Sequence, residues 1–235
     1  MKNTRKLIPA LAMLLISAVL MSTASFAWFA MNEQVTATGM EITAQSDNVW
    51  LAINEGASFD ATKAVTVFTS QSTATLYPVA LKDSVDLTAG IPSGGMYQAS
   101  LWYYAYSNNA ASSAATTGQK AIAQEKLGAY VKYETFSIGL SDISTVTSVD
   151  DLRLKSVTLP ANTGISIVIV CGDYVYNITE SNANYNKIIA DVVTDAGVTV
   201  TVYYYINGED TNVTTNNLAN LTGSVNLLFT VEAQA

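Results

Sequence analysis

The sequence predicts an all-β protein, an antiparallel β-sandwich or jelly roll of about nine strands with one or two short helices. Three observations predict this fold class. Apolar and polar residues alternate along most of the chain, which is typical of strands with one buried face. Thr, Val, Ile and Tyr are frequent, and turn-forming residues recur roughly every 8 to 15 residues. No internal repeat or linker divides the chain, so residues 28–235 are expected to form a single β-sandwich domain.

The first 27 residues have the three-part pattern of a Sec-type signal peptide. A basic start, "KNTRK", precedes the apolar run "LIPALAMLLISAVLM", and the small-residue end "STASFA" follows. This pattern predicts an N-terminal apolar signal helix, cleavage after Ala27 and a secreted, cell-surface location. Two alternatives stay open. Residues 7–30 carry no charge and reach the length of a membrane-spanning helix, so an uncleaved anchor is one. A pilin-type leader is the other.

The strand signals follow in order along the mature chain. Gly39 interrupts the first run and predicts a bulge or a close backbone approach, and Pro78 predicts a strand end or an edge. The runs are "VTATGMEITAQ", "NVWLAINEG", "KAVTVFTS", "ATLYPVAL", "SLWYYAYS", "AYVKYETFSIGL", "LKSVTLP", "GISIVIVCGDYVYNI", "GVTVTVYYYINGED" and "GSVNLLFTVEA".

Three stretches depart from this alternation. Residues 107–126 are small and polar and predict a long loop that ends in a short helix at "QKAIAQEKL". "TSVDDLRL" predicts a single helical turn capped by Ser148. "NANYNKIIADVV" fits a helix or a strand equally well.

Composition excludes several classes of function. The chain holds 11 Lys and Arg against 19 Asp and Glu, a net charge of −8, which disfavours nucleic acid and anionic membrane surfaces. It has no histidine, which removes Ser–His and Cys–His catalysis and His-ligated zinc. The prediction is a protein that is not an enzyme and meets a membrane only through its signal segment. A carboxylate glycosidase is the one enzyme class left open, and the adjacent Asp150 and Asp151 diverge too much to form its acid–base pair.

Few single residues indicate a site. Cys171 is the only cysteine and is predicted to be a buried strand residue. Glu209 and Asp210 follow an Asn-Gly turn and are the only candidate metal ligands, for calcium, with a solvated turn as the alternative. Otherwise no cofactor is expected.

Asn177, Asn212 and Asn220 begin Asn-x-Thr sequons, whose glycosylation depends on the host.

Two aromatic runs, "LWYYAY" and "VYYYI", allow two interpretations. Alternating aromatic residues on strands fill a core face and form cross-strand pairs, which is the simpler interpretation. The alternative is an exposed platform that binds carbohydrate.

The N-terminal stretch resembles exported matrix and surface proteins of Gram-positive bacteria, the TasA/camelysin group, which a SipW-type signal peptidase processes. The resemblance rests on "STASFA", on the aromatic start "WF", and on "NEQVTATGMEITA" leading into "NVWLAI". The end of the chain, from "VYYYINGED" to "GSVNLLFTV", is similar to related exported proteins. The resemblance implies a jelly-roll subunit that assembles with copies of itself into extracellular fibres. Protease activity ascribed to some relatives is not carried over, because the chain has no histidine.

The resemblance also implies donor-strand exchange, in which the N-terminal strand of one subunit completes the sheet of the next. The expected donor strand is residues 28–37. Trp28, Phe29, Met31, Val35 and Ala37 are the side chains expected to face a neighbour's groove. The predicted function is therefore the structural subunit of a fibre or biofilm matrix. The alternative is a monomeric surface adhesin or carbohydrate-binding module.

Overall fold

The computed structural model describes residues 35–44, 51–69, 73–82, 85–104, 122–142, 144, 146–213 and 223–231. In β1 (residues 35–44) and at positions 68, 69 and 73–75, only the backbone is described. The predicted signal peptide, with the cleavage site at Ala27, and most of the predicted loop 107–126 lie outside these ranges.

The described residues form an all-β sandwich, as the alternation predicts. Three short 3-10 helices accompany the strands, at Leu87–Ala89, Ala99–Leu101 and Gln124–Ala129. Thirteen strands are described: β1 Val35–Ala44, β2 Leu51–Glu55, β3 Val67–Thr69, β4 Thr73–Leu76, β5 Pro78–Leu81, β6 Trp102–Tyr104, β7 Val131–Leu140, β8 Ser148–Thr158, β9 Ile165–Cys171, β10 Tyr174–Ile178, β11 Lys187–Thr194, β12 Val198–Asn207 and β13 Gly223–Val231.

The number of strands exceeds the predicted nine because single apolar runs hold two strands each. "GISIVIVCGDYVYNI" contains β9 and β10, which are joined by a tight turn at Gly172 with a φ of 53°. "ATLYPVAL" contains β4 and β5, and Pro78 is the first residue of β5, as its missing N–H predicts. The ambiguous "NANYNKIIADVV" supplies β11, a strand.

The helical turn predicted at "TSVDDLRL" is wrong. Ser148 is the first residue of β8 and not a helix cap. Val149 and Leu152 are both buried, and their separation of three residues resembles a helical period. Asp151 instead adopts a left-handed φ of 54°, which breaks the alternation within the strand and places two successive carboxylates outside the core.

The strands form two sheets, here called sheet A and sheet B. Sheet A has the order β11-β8-β13-β1-β3, and β4 also pairs with β1. Sheet B has the order β10-β9-β12-β7-β2, and β5 with β6 continues from the end of β12. Most pairs are antiparallel, but β1–β13 and β12–β5 are parallel. The register of β1 against β13 shifts between Ala37 and Met40, so the bulge predicted at Gly39 is confirmed.

The main core lies between the sheets. Phe136 of sheet B and Phe229 of sheet A are fully buried, and their ring centroids are 5.9 Å apart. A second apolar cluster lies on the other face of sheet B and includes Met96, Trp102 and Leu127. Sheet B is therefore covered on part of both faces.

We expect Phe136→Ala or Phe229→Ala to lower the free energy of unfolding by about 3–5 kcal/mol each, because each leaves a cavity between the sheets. The double variant should lose less than the sum, since the two rings contact each other. Denaturant titration measures both quantities. Val192→Ala, at a position that is 46% exposed, is the matched control and should change stability by less than about 0.5 kcal/mol. Equal losses at Val192 and Phe136 would contradict the assignment of the core.

Candidate functional site

The first described strand lies inside sheet A and not at its edge. One side of β1 pairs in parallel with β13, from Ala37 opposite Gly223 to Ala44 opposite Phe229. The other side pairs antiparallel with β3 and β4 of the same chain. Because both sides are paired, the backbone N–H and C=O groups of β1 are used within the sheet.

The predicted donor residues divide between described and undescribed parts of the chain. Val35 and Ala37 lie in β1, opposite Leu76 and Ala74 of β4. Trp28, Phe29 and Met31 lie outside the described residues. Val35 and Ala37 can therefore act in a neighbouring subunit only if β1 leaves its own sheet.

The β11 edge of sheet A is tied to sheet B by two tyrosines of β10. The Tyr176 hydroxyl donates a hydrogen bond of 2.7 Å to the carbonyl oxygen of Ile188. The Tyr174 hydroxyl donates to the carboxylate of Asp191, and this bond raises the pKa of Tyr174 to about 12. These bonds join the two sheets and occupy a carbonyl group of an edge strand.

The turn that carries Glu209 and Asp210 is held by bonds within the protein. The buried Tyr103 donates its hydroxyl proton to Glu209 Oε1. Asp210 Oδ1 accepts from the backbone N–H and the side-chain amide of Asn212, at 2.8 and 2.9 Å. Asp210 and Asn212 also line a cavity of about 300 Å³, which Glu180 shares. Within the described ranges, no three acidic, histidine or cysteine side chains are grouped as metal ligands would be.

The remaining candidate residues are dispersed. Asn177 lies on β10, where its Oδ1 accepts a hydrogen bond of 2.9 Å from the buried Tyr205. Asn212 lies in the exposed turn after β12, and Asn220 is outside the described residues. The Asp151 carboxylate forms an ion pair of 2.7 Å with Arg153, so it is engaged in a structural contact.

The tyrosines of "VYYYI" divide between the two faces of sheet B, with Tyr204 in the main core and Tyr203 and Tyr205 on the other face. Trp102 is buried and packs edge-to-face on Tyr205 at 4.9 Å. Tyr203 lies on the same face as Tyr205 but next to Tyr133, which is 50% exposed. Tyr133 and its neighbour Tyr97 were not among the residues identified from the sequence, because their proximity to Tyr203 depends on strand register.

No protein-family model matches the chain, and no curated protein matches it significantly. In the parts of the chain that the structure describes, no helix has the length and apolar character needed to span a membrane.

We expect the Cys171 thiol to be inert in the native protein. It is 3% exposed, and burial raises its pKa to about 12 from an ordinary 9.0. Above pH 9 the unfolded chain releases this proton while the folded chain retains it. The thiol's contribution to stability is thus complete below pH 9 and falls by about 1.4 kcal/mol per pH unit towards pH 12. Urea titrations of the wild type and Cys171→Ala between pH 8 and 11 measure this, and parallel pH profiles would contradict it.

Proposed function

We propose that this protein is a secreted structural subunit of an extracellular fibre or biofilm matrix, which polymerises by exchange of its N-terminal strand between copies. The partners are other copies of the same chain and, before assembly, a SipW-type signal peptidase that cuts after Ala27. The proposal needs no enzyme activity and no cofactor.

The observation that carries this proposal is the position of β1. The strand is both the first of the described fold and an interior strand of sheet A, paired on both sides. An identical strand from a second copy would restore the same hydrogen bonds and the same register. Strand exchange therefore replaces each contact within one copy by the same contact between two copies, so the swapped and unswapped states are close in free energy.

Exchange also produces an open chain of subunits. A strand passed from each copy to the next is a heterologous, head-to-tail contact, and such contacts generate filaments when they do not close into a ring. Only residues 45–50 separate β1 from β2, so the two strands of one copy would belong to adjacent subunits. Main-chain pairing would supply affinity, and the bulge at Gly39 would help to set the register.

The sequence pattern of residues 1–27 supports export, and the resemblance of the N-terminal stretch to the TasA/camelysin group supports a matrix role. The predicted donor segment, residues 28–37, becomes on this proposal the first part of the exchanged unit, which continues to Ala44. Trp28, Phe29 and Met31 would then extend the contact with the neighbouring subunit. If each subunit keeps β1 in its own sheet, the alternative function applies, which is a monomeric surface adhesin or carbohydrate-binding module.

A disulfide between β1 and β13 distinguishes exchange from self-pairing. Glu41 and Asn226 are opposite each other in this pair. Neighbouring strands lie about 4.8 Å apart, which is within the range of Cα separations that a disulfide spans. In a Cys171→Ala background, we expect the mature Glu41→Cys/Asn226→Cys protein to oxidise into a covalent ladder on non-reducing gels, because each bond joins two copies.

The matched control moves one cysteine to a strand that is not exchanged. Thr158 of β8 is the other neighbour of Asn226, so Thr158→Cys/Asn226→Cys should yield only closed monomers under the same conditions. Closed monomers from both double variants, together with dispersed particles in electron micrographs, would overturn the filament proposal.

A further inference from the structure

The outward-facing positions of sheet B carry no charged side chain along β2, β7, β9, β10 and β12. These positions alternate along each strand with the residues that face the main core, so their side chains lie on the other face of the sheet. They hold Tyr, Thr, Ser, Val, Asn, Ala and Gly. The charged residues of β7, Lys132 and Glu134, alternate with this set on the opposite face. An uncharged sheet face is distinctive in a chain with a net charge of −8.

Both ends of this face are covered, and among the residues that the structure describes none lies over a strip between them. At one end the Phe59 side chain lies so close to Gly139 and Gly197 that an added Cβ would stand 2.6 Å from it. At the other end Met96 and Trp102 cover the strands and are fully buried. The open strip, here called the tyrosine strip, crosses three strands and comprises Tyr133, Thr135, Val170, Thr201 and Tyr203, with Tyr97 at its border.

The rings of the tyrosine strip support one another. Tyr133 is 50% exposed, the highest fraction among the large apolar side chains of the described residues. Its ring lies 5.1 Å from Tyr97, edge-to-face, and 5.6 Å from its cross-strand neighbour Tyr203. Two contacts therefore restrict an exposed ring, which lowers the entropy lost when a ligand stacks on it.

Hydroxyl groups lie one row further along the same strip. Thr135 and Thr201 are cross-strand neighbours, and their Oγ1 atoms are 3.2 Å apart. Only one of the two hydroxyl protons is used in that bond, so the pair retains one donor and several acceptor positions. A ligand that covers the strip thus meets an aromatic ring and neutral hydrogen-bonding groups side by side.

We propose that the tyrosine strip binds an uncharged polysaccharide. One pyranose ring stacks its apolar C–H face on Tyr133, and hydroxyls of the next sugar hydrogen-bond to Thr135 and Thr201. Nucleic acid and acidic glycans need cationic partners that this face does not carry. The proposal does not depend on filament formation.

Affinity electrophoresis in native gels tests this proposal on the monomeric fraction of the mature protein, isolated by size-exclusion chromatography. The gels contain dextran, laminarin, glucomannan or hydroxyethyl cellulose as uncharged probes, and alginate as the acidic probe. We expect at least one uncharged polymer to retard the wild type and alginate to have no effect. Tyr133→Ala should raise the dissociation constant derived from the retardation about tenfold, which corresponds to a loss of about 1.4 kcal/mol of binding free energy. Tyr133→Phe should keep it, because the stacking ring remains.

Val192→Ala, on β11 and away from the strip, is the control and should bind as the wild type does. Three results would each overturn the proposal. The first is that none of the uncharged polymers retards the wild type, or that alginate retards it equally. The second is that Tyr133→Ala is retarded as strongly as the wild type. The third is that Tyr133→Ala removes a self-association seen in sedimentation velocity without any glycan, which would make the strip an interface between copies.

Discussion

Sheet A depends on hydrogen bonds made by its first strand. β1 bonds to β13 on one side and to β3 and β4 on the other, so it connects the last described strand to strands formed early in the chain. Without β1, β13 would become an edge strand and β3 and β4 would lose their sheet. The main core requires that sheet, because Phe229 and its neighbours on β13 pack against sheet B from it. The position of the N-terminal strand thus determines both the stability of the sandwich and the means of assembly that we propose.

Local patterns predicted the strands, the bulge at Gly39, the role of Pro78 and the buried Cys171, because each depends on neighbouring residues. The sequence did not predict what depends on distant pairing. Tyr133 and Tyr203 lie 70 positions apart in the chain, and only the β7–β12 register makes them neighbours. The contact between Tyr103 and Glu209 joins residues 106 positions apart. Residues 148–154 were misassigned because a left-handed Asp151 changes the period of burial, which no local pattern signals.

The two functional surfaces that we propose use different properties of a β-sandwich. Strand exchange uses main-chain hydrogen bonds, which any strand of matching register can supply. The tyrosine strip uses side chains on a sheet face that is free of charge. Both suit a matrix protein, since a fibre that holds polysaccharide along its length crosslinks its surroundings through many weak contacts. By contrast, Glu209, Asp210 and Cys171 contribute to the fold: the two carboxylates accept hydrogen bonds within the protein, and the thiol is buried.

Hydrogen exchange along β13 tests the position of β1 most directly. Alternate backbone N–H groups of a strand point to opposite neighbours, here β8 and β1. With β1 in place, we predict that the amides of residues 225–229 are protected as strongly as those of β9, which is interior to sheet B. If β1 does not occupy this position, every second amide of this stretch of β13 will exchange at the rate of an edge strand, and that alternation would contradict the account.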